Sequence, residues 1–236
     1  MSNSEFRALV GEEVWKIRRD GFLDSYEKFV EEILSEGALT KKEKFYILLG
    51  IYASKGWLDF TQGFLSKKIR QVNIKAEEVI EILETAVLSR GPIPWIDGHQ
   101  IISSLLRGEH FERKGKRSPS KNRQEMLEYF ESRFREIPDW IEMLSQRFPK
   151  AFQHYYSMRS SALDTGLLPR KIKELVLVGI NATGLCHEGM KGHMKGALQA
   201  GASKEEILET LLISILGGGI VSWVDGISVM KDEGIM

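Results

Sequence analysis

Residues 174–223, ELVLVGINATGLCHEGMKGHMKGALQAGASKEEILETLLISILGGGIVSW, hold most of the chain's chemistry and set its class. Leu175, Val176, Leu177, Val178 and Ile180 go around a helix rather than along one stripe, so the helix opened by Glu174 should be enclosed by neighbours. A carboxylate there is costly unless paired. Glu174 is therefore either the partner of a Lys or His in the core or a relay carboxylate. Gly184 is placed to end that helix, which puts the sole cysteine, Cys186, at or just before the start of the next. A helix start favours a thiolate. His193 follows Cys186 by nearly two turns, so the two share a face, about 10 Å apart along the axis and out of contact.

The 236-residue chain is long enough for a substantial core, and with 42% hydrophobic and 28% charged residues it has the make-up of a globular protein. Lys plus Arg and Asp plus Glu both number 33, and this balance argues against nucleic acid or an acidic membrane as the main partner. One cysteine rules out an internal disulfide framework and fits a reducing compartment. No basic-then-apolar leader or membrane-length apolar run is read, so a cytoplasmic location is expected.

Strand-like alternation is absent and the expected fold class is all-α. Residues 4–36 read as two helices with charged faces, each ending at a glycine. Thr40 with Glu43 forms a capping-box pattern before an apolar helix that stops at Gly56. Helices follow over 57–72 and 75–89, and Gly91-Pro92-Ile93-Pro94 breaks the pattern before Trp95. In the second half Pro169 falls in the first turn of the Glu174 helix. Ser203 with Glu206 repeats the capping box, and Gly217-Gly218-Gly219 reads as a tight helix–helix corner. A phosphate loop fails its context there, because no strand precedes the glycines and no Lys-Ser or Lys-Thr follows.

The order of signals recurs. Gly37, Leu39, Lys42 and Lys44 match Gly166, Leu168, Lys171 and Lys173 at a spacing of 129, and Trp95, Asp97 and Gly98 match Trp223, Asp225 and Gly226 at 128. This reads as tandem duplication: a first, degenerate repeat over 1–106, a charged linker over 107–123, and a second repeat over 124–236. A basic patch is the alternative reading of the linker. Where the second repeat has Glu174, Cys186 and His193, the first has Phe45, Trp57 and Phe64. Packing replaces chemistry in the first copy, so any active site belongs to the second.

Leu168-Pro169, Lys171, Lys173-Glu174-Leu175, Cys186, His193, Ala197, Gly201-Ala202-Ser203, Glu205-Glu206-Ile207 and Glu209 together resemble the carboxymuconolactone decarboxylase and alkylhydroperoxidase-D family. The resemblance covers about residues 165–226 and, in degenerate form, 37–98. It implies small helical units assembled as trimers or hexamers of units, so a tandem chain would form a homo-oligomer, for example three chains arranged as six units, or a dimer. It also implies two activities. In the peroxidase type, Glu174, Cys186 and His193 match the relay Glu, the first Cys of a Cys-x-x-Cys and the His, but Gly189 stands where the second Cys would be. A single-cysteine cycle then needs an external thiol reductant. In the decarboxylase type, acid/base residues crowd before the helical histidine, and His187 and Glu188 supply the side-chain types in a different order and spacing.

Cys186, His193, Glu174, Glu188 and His187 are thus the candidate catalytic residues, and a small molecule the expected substrate; the emptied first copy and the missing second cysteine leave a non-catalytic, small-molecule-binding assembly protein as the remaining alternative. Each has a bland alternative: a buried inert thiol, a core histidine bonded to a carbonyl, a core ion pair, and solvated or capping groups for the last two. His187, Glu188 and His193 lack a recognised metal-ligand spacing, and neither metal nor cofactor is expected.

Overall fold

The computed structural model describes residue 16 and residues 21–105, 121–134 and 136–236, which contain twelve helices and no strand. In chain order they are α1 (Phe22–Ile33), α2 (Lys41–Lys55), α3 (Leu58–Gln71), α4 (Ala76–Arg90), α5 (Ile93–Leu105), α6 (Arg123–Phe134), α7 (Asp139–Arg147), α8 (Pro149–Asp164), α9 (Arg170–Thr183), α10 (His187–Gln199), α11 (Lys204–Gly218) and α12 (Ile220–Asp232). The helix expected over 4–20 lies outside the described residues except for helical Lys16. Of the linker expected over 107–123, only 121–123 are described, and Arg123 already begins α6.

Local chemistry sets the boundaries. Thr40 caps α2 by accepting from the Glu43 backbone N–H while the Glu43 carboxylate accepts from the Thr40 N–H, and Ser203 and Glu206 do the same for α11. Two orphan donors are satisfied at each start. Gly56, with φ 69°, ends α2 in the left-handed conformation that glycine adopts without steric cost. Pro149 opens α8 in its first turn, whereas Pro169 precedes α9 as the capping residue, one position earlier than expected.

α2 and α9 form the centre and are buried on every side from Lys44 to Ser54 and from Ile172 to Thr183. They pass close together because each carries a glycine at the contact. A Cβ on Gly50 would strike Val176, and one on Gly179 would lie 3.1 Å from Ile47 and 3.0 Å from Ile51. Each central helix also packs on the other half's flanking helix, α9 on α4 and α2 on α11. A single core therefore runs from Leu23 to Ile235 and is built from residues on both sides of the stretch 106–162.

α6, α7 and α8 gather a second, aromatic-rich cluster of Met126, Leu127, Phe130, Ile141, Phe152 and Tyr156. It leans on α10 and α9 through α6 and α8. Trp223 packs against the main core, whereas its counterpart Trp95 is 51% exposed. It lies in the first turn of α5 on an outward face with Ile93 and Ile96. No helix among the described residues is long and apolar enough to cross a membrane.

Candidate active site

Glu174 and His193 meet across neighbouring helices. α9 carries Glu174 early in its course, and the chain turns at 184–186 and returns as α10, bringing His193 alongside. The turn uses Leu185 at φ 51°, a left-handed conformation costing an L-residue roughly 1 kcal/mol. The imidazole Nδ1–H donates to Glu174 Oε2 at 2.8 Å. Close approach depends on Gly196, one turn beyond His193, where a Cβ would lie 2.7–2.9 Å from the Glu174 carboxyl atoms.

Behind the carboxylate lies a chain of charges. Arg170, one turn earlier on α9, donates to Glu174 Oε1 at 2.7 Å and also binds Asp164, which Arg133 approaches at 3.5 Å. Burial alone would push the Glu174 carboxyl up, but the His193 hydrogen bond and charge, with Arg159 and Arg170, hold it down at about 2. Burial pushes the imidazole of His193 below its ordinary pKa, and the hydrogen bond to Glu174 opposes that only in part. At neutral pH the pair is therefore carboxylate and neutral imidazole, with the proton on Nδ1 and the lone pair on Nε2. Glu174 fixes both ring orientation and tautomer.

His193 forms part of the wall of a cavity of about 700 Å³. α10 and the residue before it contribute Cys186, Glu188, Gly189 and His193, α9 contributes Leu177 and Asn181, and α6–α8 with their connections contribute Phe134, Trp140, Tyr155 and Arg159. Cys186 is the residue immediately before α10, and its thiol is exposed. Gly189 faces Asn181: a Cβ there would strike the Asn181 Oδ1, approach its Cγ to 2.6 Å and lie 3.1 Å from the Cys186 sulfur. The side chain of Asn181, held by a 2.8 Å bond from Nδ2 to the Leu177 carbonyl, fills the space a second cysteine would need.

Of the five candidates, Cys186, Glu188 and His193 line one cavity, and Glu174 stands directly behind His193. His187 is not in that wall. Its Nε2 meets Asp225 Oδ1 at 2.6 Å, tying the start of α10 to α12. Asp97, 128 positions before Asp225, accepts from the Leu58 backbone N–H at 2.6 Å, so each half secures the start of its shorter-loop helix with an aspartate. In the first half, Phe45 and Phe64 are buried where the second has Glu174 and His193.

Sequence reading missed Arg159, Arg170, Asn181 and the aromatic wall. Arg170 had a signal, lying one turn before Glu174 on the same helix face. Arg159 and the aromatic residues had none, because their place depends on how α6–α8 fold back over α10. Among the described residues no group of three or more His, Cys, Asp or Glu side chains is arranged to hold a metal ion.

The model of the carboxymuconolactone decarboxylase family matches residues 149–232. An uncharacterized protein of Cupriavidus necator is 32% identical over 89 residues, which are 37% of this chain and 79% of the relative. A crystal structure of a candidate gamma-carboxymuconolactone decarboxylase subunit from Burkholderia xenovorans matches 98% of this chain and 92% of its own, with a TM-score of 0.64 at 22% identity, and so shares the fold. Another Burkholderia xenovorans structure, described as a candidate carboxymuconolactone decarboxylase, covers 47% of this chain and 92% of its own at 27% identity and a TM-score of 0.42.

Proposed function

The chain belongs to the carboxymuconolactone decarboxylase family, and on that footing we propose that it is an acid/base enzyme, a decarboxylase or lactone-processing catalyst, with His193 as the proton-transferring group. The observation that carries this reading is the 2.8 Å bond between buried Glu174 and His193. With Nδ1 engaged, Nε2 is the nitrogen left for a molecule in the cavity. In lactone hydrolysis, neutral Nε2 takes a proton from a water attacking the ring carbonyl, Glu174 stabilises the imidazolium formed, and that proton passes to the ring oxygen as its bond to the carbonyl carbon breaks. In decarboxylation, the bond to the carboxylate breaks, CO2 leaves, and the carbanion left behind takes a proton that His193 relays from water, so that in either case His193 ends neutral.

The test follows the consumption of gamma-carboxymuconolactone by ultraviolet absorbance. Turnover should survive Cys186→Ser and fall at least a hundredfold in His193→Ala, in line with the usual worth of a general acid/base group. Loss in Cys186→Ser with full activity in His193→Ala would overturn it.

A second reading, redox chemistry at Cys186, is favoured by one observation: the exposed thiol shares the cavity with His193. The thiolate would attack one peroxide oxygen, the O–O bond would break with loss of water or an alcohol, and the sulfenic acid would be returned to thiol by two equivalents of an external thiol. Peroxide consumption with dithiothreitol checks it, and equal rates in wild type and Cys186→Ser remove it.

The same proposal includes a homo-oligomer. Outward Trp95, Ile96, Val221 and Val224 support it, and sedimentation should give a small multiple of 26.9 kDa.

A further inference from the structure

Glu174 serves two partners with its two oxygens. Oε2 accepts from His193 Nδ1 at 2.8 Å, and Oε1 accepts from Arg170 Nη2 at 2.7 Å. The other arm of the same guanidinium, Nη1, donates to Oδ1 of Asp164, the last residue of α8, and Arg133 of α6 lies 3.5 Å from that oxygen. The imidazole thus ends a chain of charged hydrogen bonds that begins in the helices of the cavity wall. Its members differ in depth, the Glu174 side chain being 1% exposed, Arg170 18% and Asp164 29%.

The sharing of charge along this chain decides what His193 can do. A buried carboxylate with only an imidazole beside it puts its whole charge on the ring and favours the protonated form. A guanidinium on the second oxygen takes part of that charge, and a carboxylate beyond the guanidinium gives part of it back. The other charged groups around the ring have settled places. Arg159 of α8 adds a positive charge. On α10, Lys191 and Lys195 are bound to Glu233, while Cys186, Glu188, Glu136 and Asp139 line the cavity and are exposed. α12 turns Asp225 to His187, and α11 turns Glu206 to Lys171 and Glu209 to Lys44. Tyr129 of α6, close to Asp164, stays uncharged because burial pushes its hydroxyl up to about 12.

We propose that Arg170 and Asp164 are positioning residues of the acid/base pair: Arg170 holds one oxygen of Glu174 and divides its charge, leaving the other oxygen to orient His193, and Asp164 limits how much of the guanidinium's charge Glu174 receives. The role rests on the reading of His193 as the proton-transferring group, because what it tunes is the basicity of Nε2. It also ties that basicity to the cavity wall, since Asp164 ends one of the wall's helices.

NMR titration of the His193 ring on the full chain tests this without a substrate, the resonance being the one missing from His193→Phe. Removing the cation in Arg170→Met should raise the midpoint by about one pH unit, the usual effect of a single charge at this range. Arg170→Lys, which keeps the charge without the fork, should return most of that rise. Asp164→Asn should lower the midpoint, because an anion is lost. A role confined to propping the fold would not give opposite shifts in the two variants. An unmoved midpoint in folded Arg170→Met, a shift of the same sign in Asp164→Asn, or no return in Arg170→Lys overturns the proposal. If Arg170→Met does not fold, Asp164→Asn decides alone, and a midpoint that stays or rises overturns it. The expected shifts in a protein that turns over no lactone would uphold the proposal and sink the acid/base reading alone.

Discussion

Lys44 reaches Glu209 at 3.1 Å and Lys173 reaches Glu81 at 3.0 Å, so the same lysine-to-glutamate link is made once in each direction between the two halves. The surroundings repeat too. Glu209 accepts from the backbone N–H groups of Ala38 and Leu39, and Glu81 from those of Leu167 and Leu168, 129 positions on. Gly37 and Gly166 leave room for the two carboxylates, since a Cβ on either would collide with its partner's oxygens.

These links differ in depth, and their loss should differ accordingly. Lys173 and Glu81 are both almost wholly buried, whereas Glu209 is 21% exposed. Lys173→Met, which strands a buried carboxylate, should cost about 3–5 kcal/mol. Lys44→Met should cost about half as much, because water reaches Glu209. Urea unfolding of each variant gives the comparison.

Acid should destabilise the protein through the active-site pair. Glu174 is held at about 2 against an ordinary 4.5, so its contribution, on the order of 3 kcal/mol, is present above pH 4.5 and lost as the pH falls towards 2. His193 is depressed by burial, so below its ordinary value of 6.5 the unfolded chain takes up its proton first, and stability falls in the same direction. Urea midpoints should drop progressively below pH 6.5. In the Glu174→Gln, His193→Phe double variant the slope should flatten.

Gly189→Cys should fail as a way to restore a cysteine pair. The new side chain collides with Asn181, and a helix-interior collision of this kind costs about 1–3 kcal/mol. Adding Asn181→Ala vacates the space and leaves the Cβ at position 189 only 3.1 Å from the Cys186 sulfur. The double variant should then close a disulfide, read as the loss of free thiol to Ellman's reagent after mild oxidation.

The helix crossing should resist even a methyl group. Gly50→Ala drives a Cβ into Val176, and Gly179→Ala places one 3.0 Å from Ile51. Gly50→Ala should lower stability by about 1–3 kcal/mol, more than Gly179→Ala, whose neighbours need move only a few tenths of an ångström. Thermal melts rank the two.

Much of the helical scaffold was legible because its signals are local. The capping boxes at Thr40 and Ser203, the stop at Gly56 and the all-round apolar face after Glu174 each depend on a few adjacent residues. The recurring spacing of 128 or 129 pointed to matching positions, but not to the exchange of partners between halves, which is a property of packing. At the site, the pairing of Glu174 with a histidine was among the possibilities that burial of a carboxylate leaves open. Arg159 and the wall of Phe134, Trp140 and Tyr155 were not legible, because α6–α8 reach the cavity only by folding back over α10. His187 stood next to the right residues in the chain, yet one helical step turns it towards Asp225.

Because α2 rests on α11 and α9 on α4, neither half holds a complete interior of its own. Cutting the chain between them would yield two fragments that are each sticky and poorly folded alone, yet able to reassemble when mixed, like two hands that close only by clasping each other.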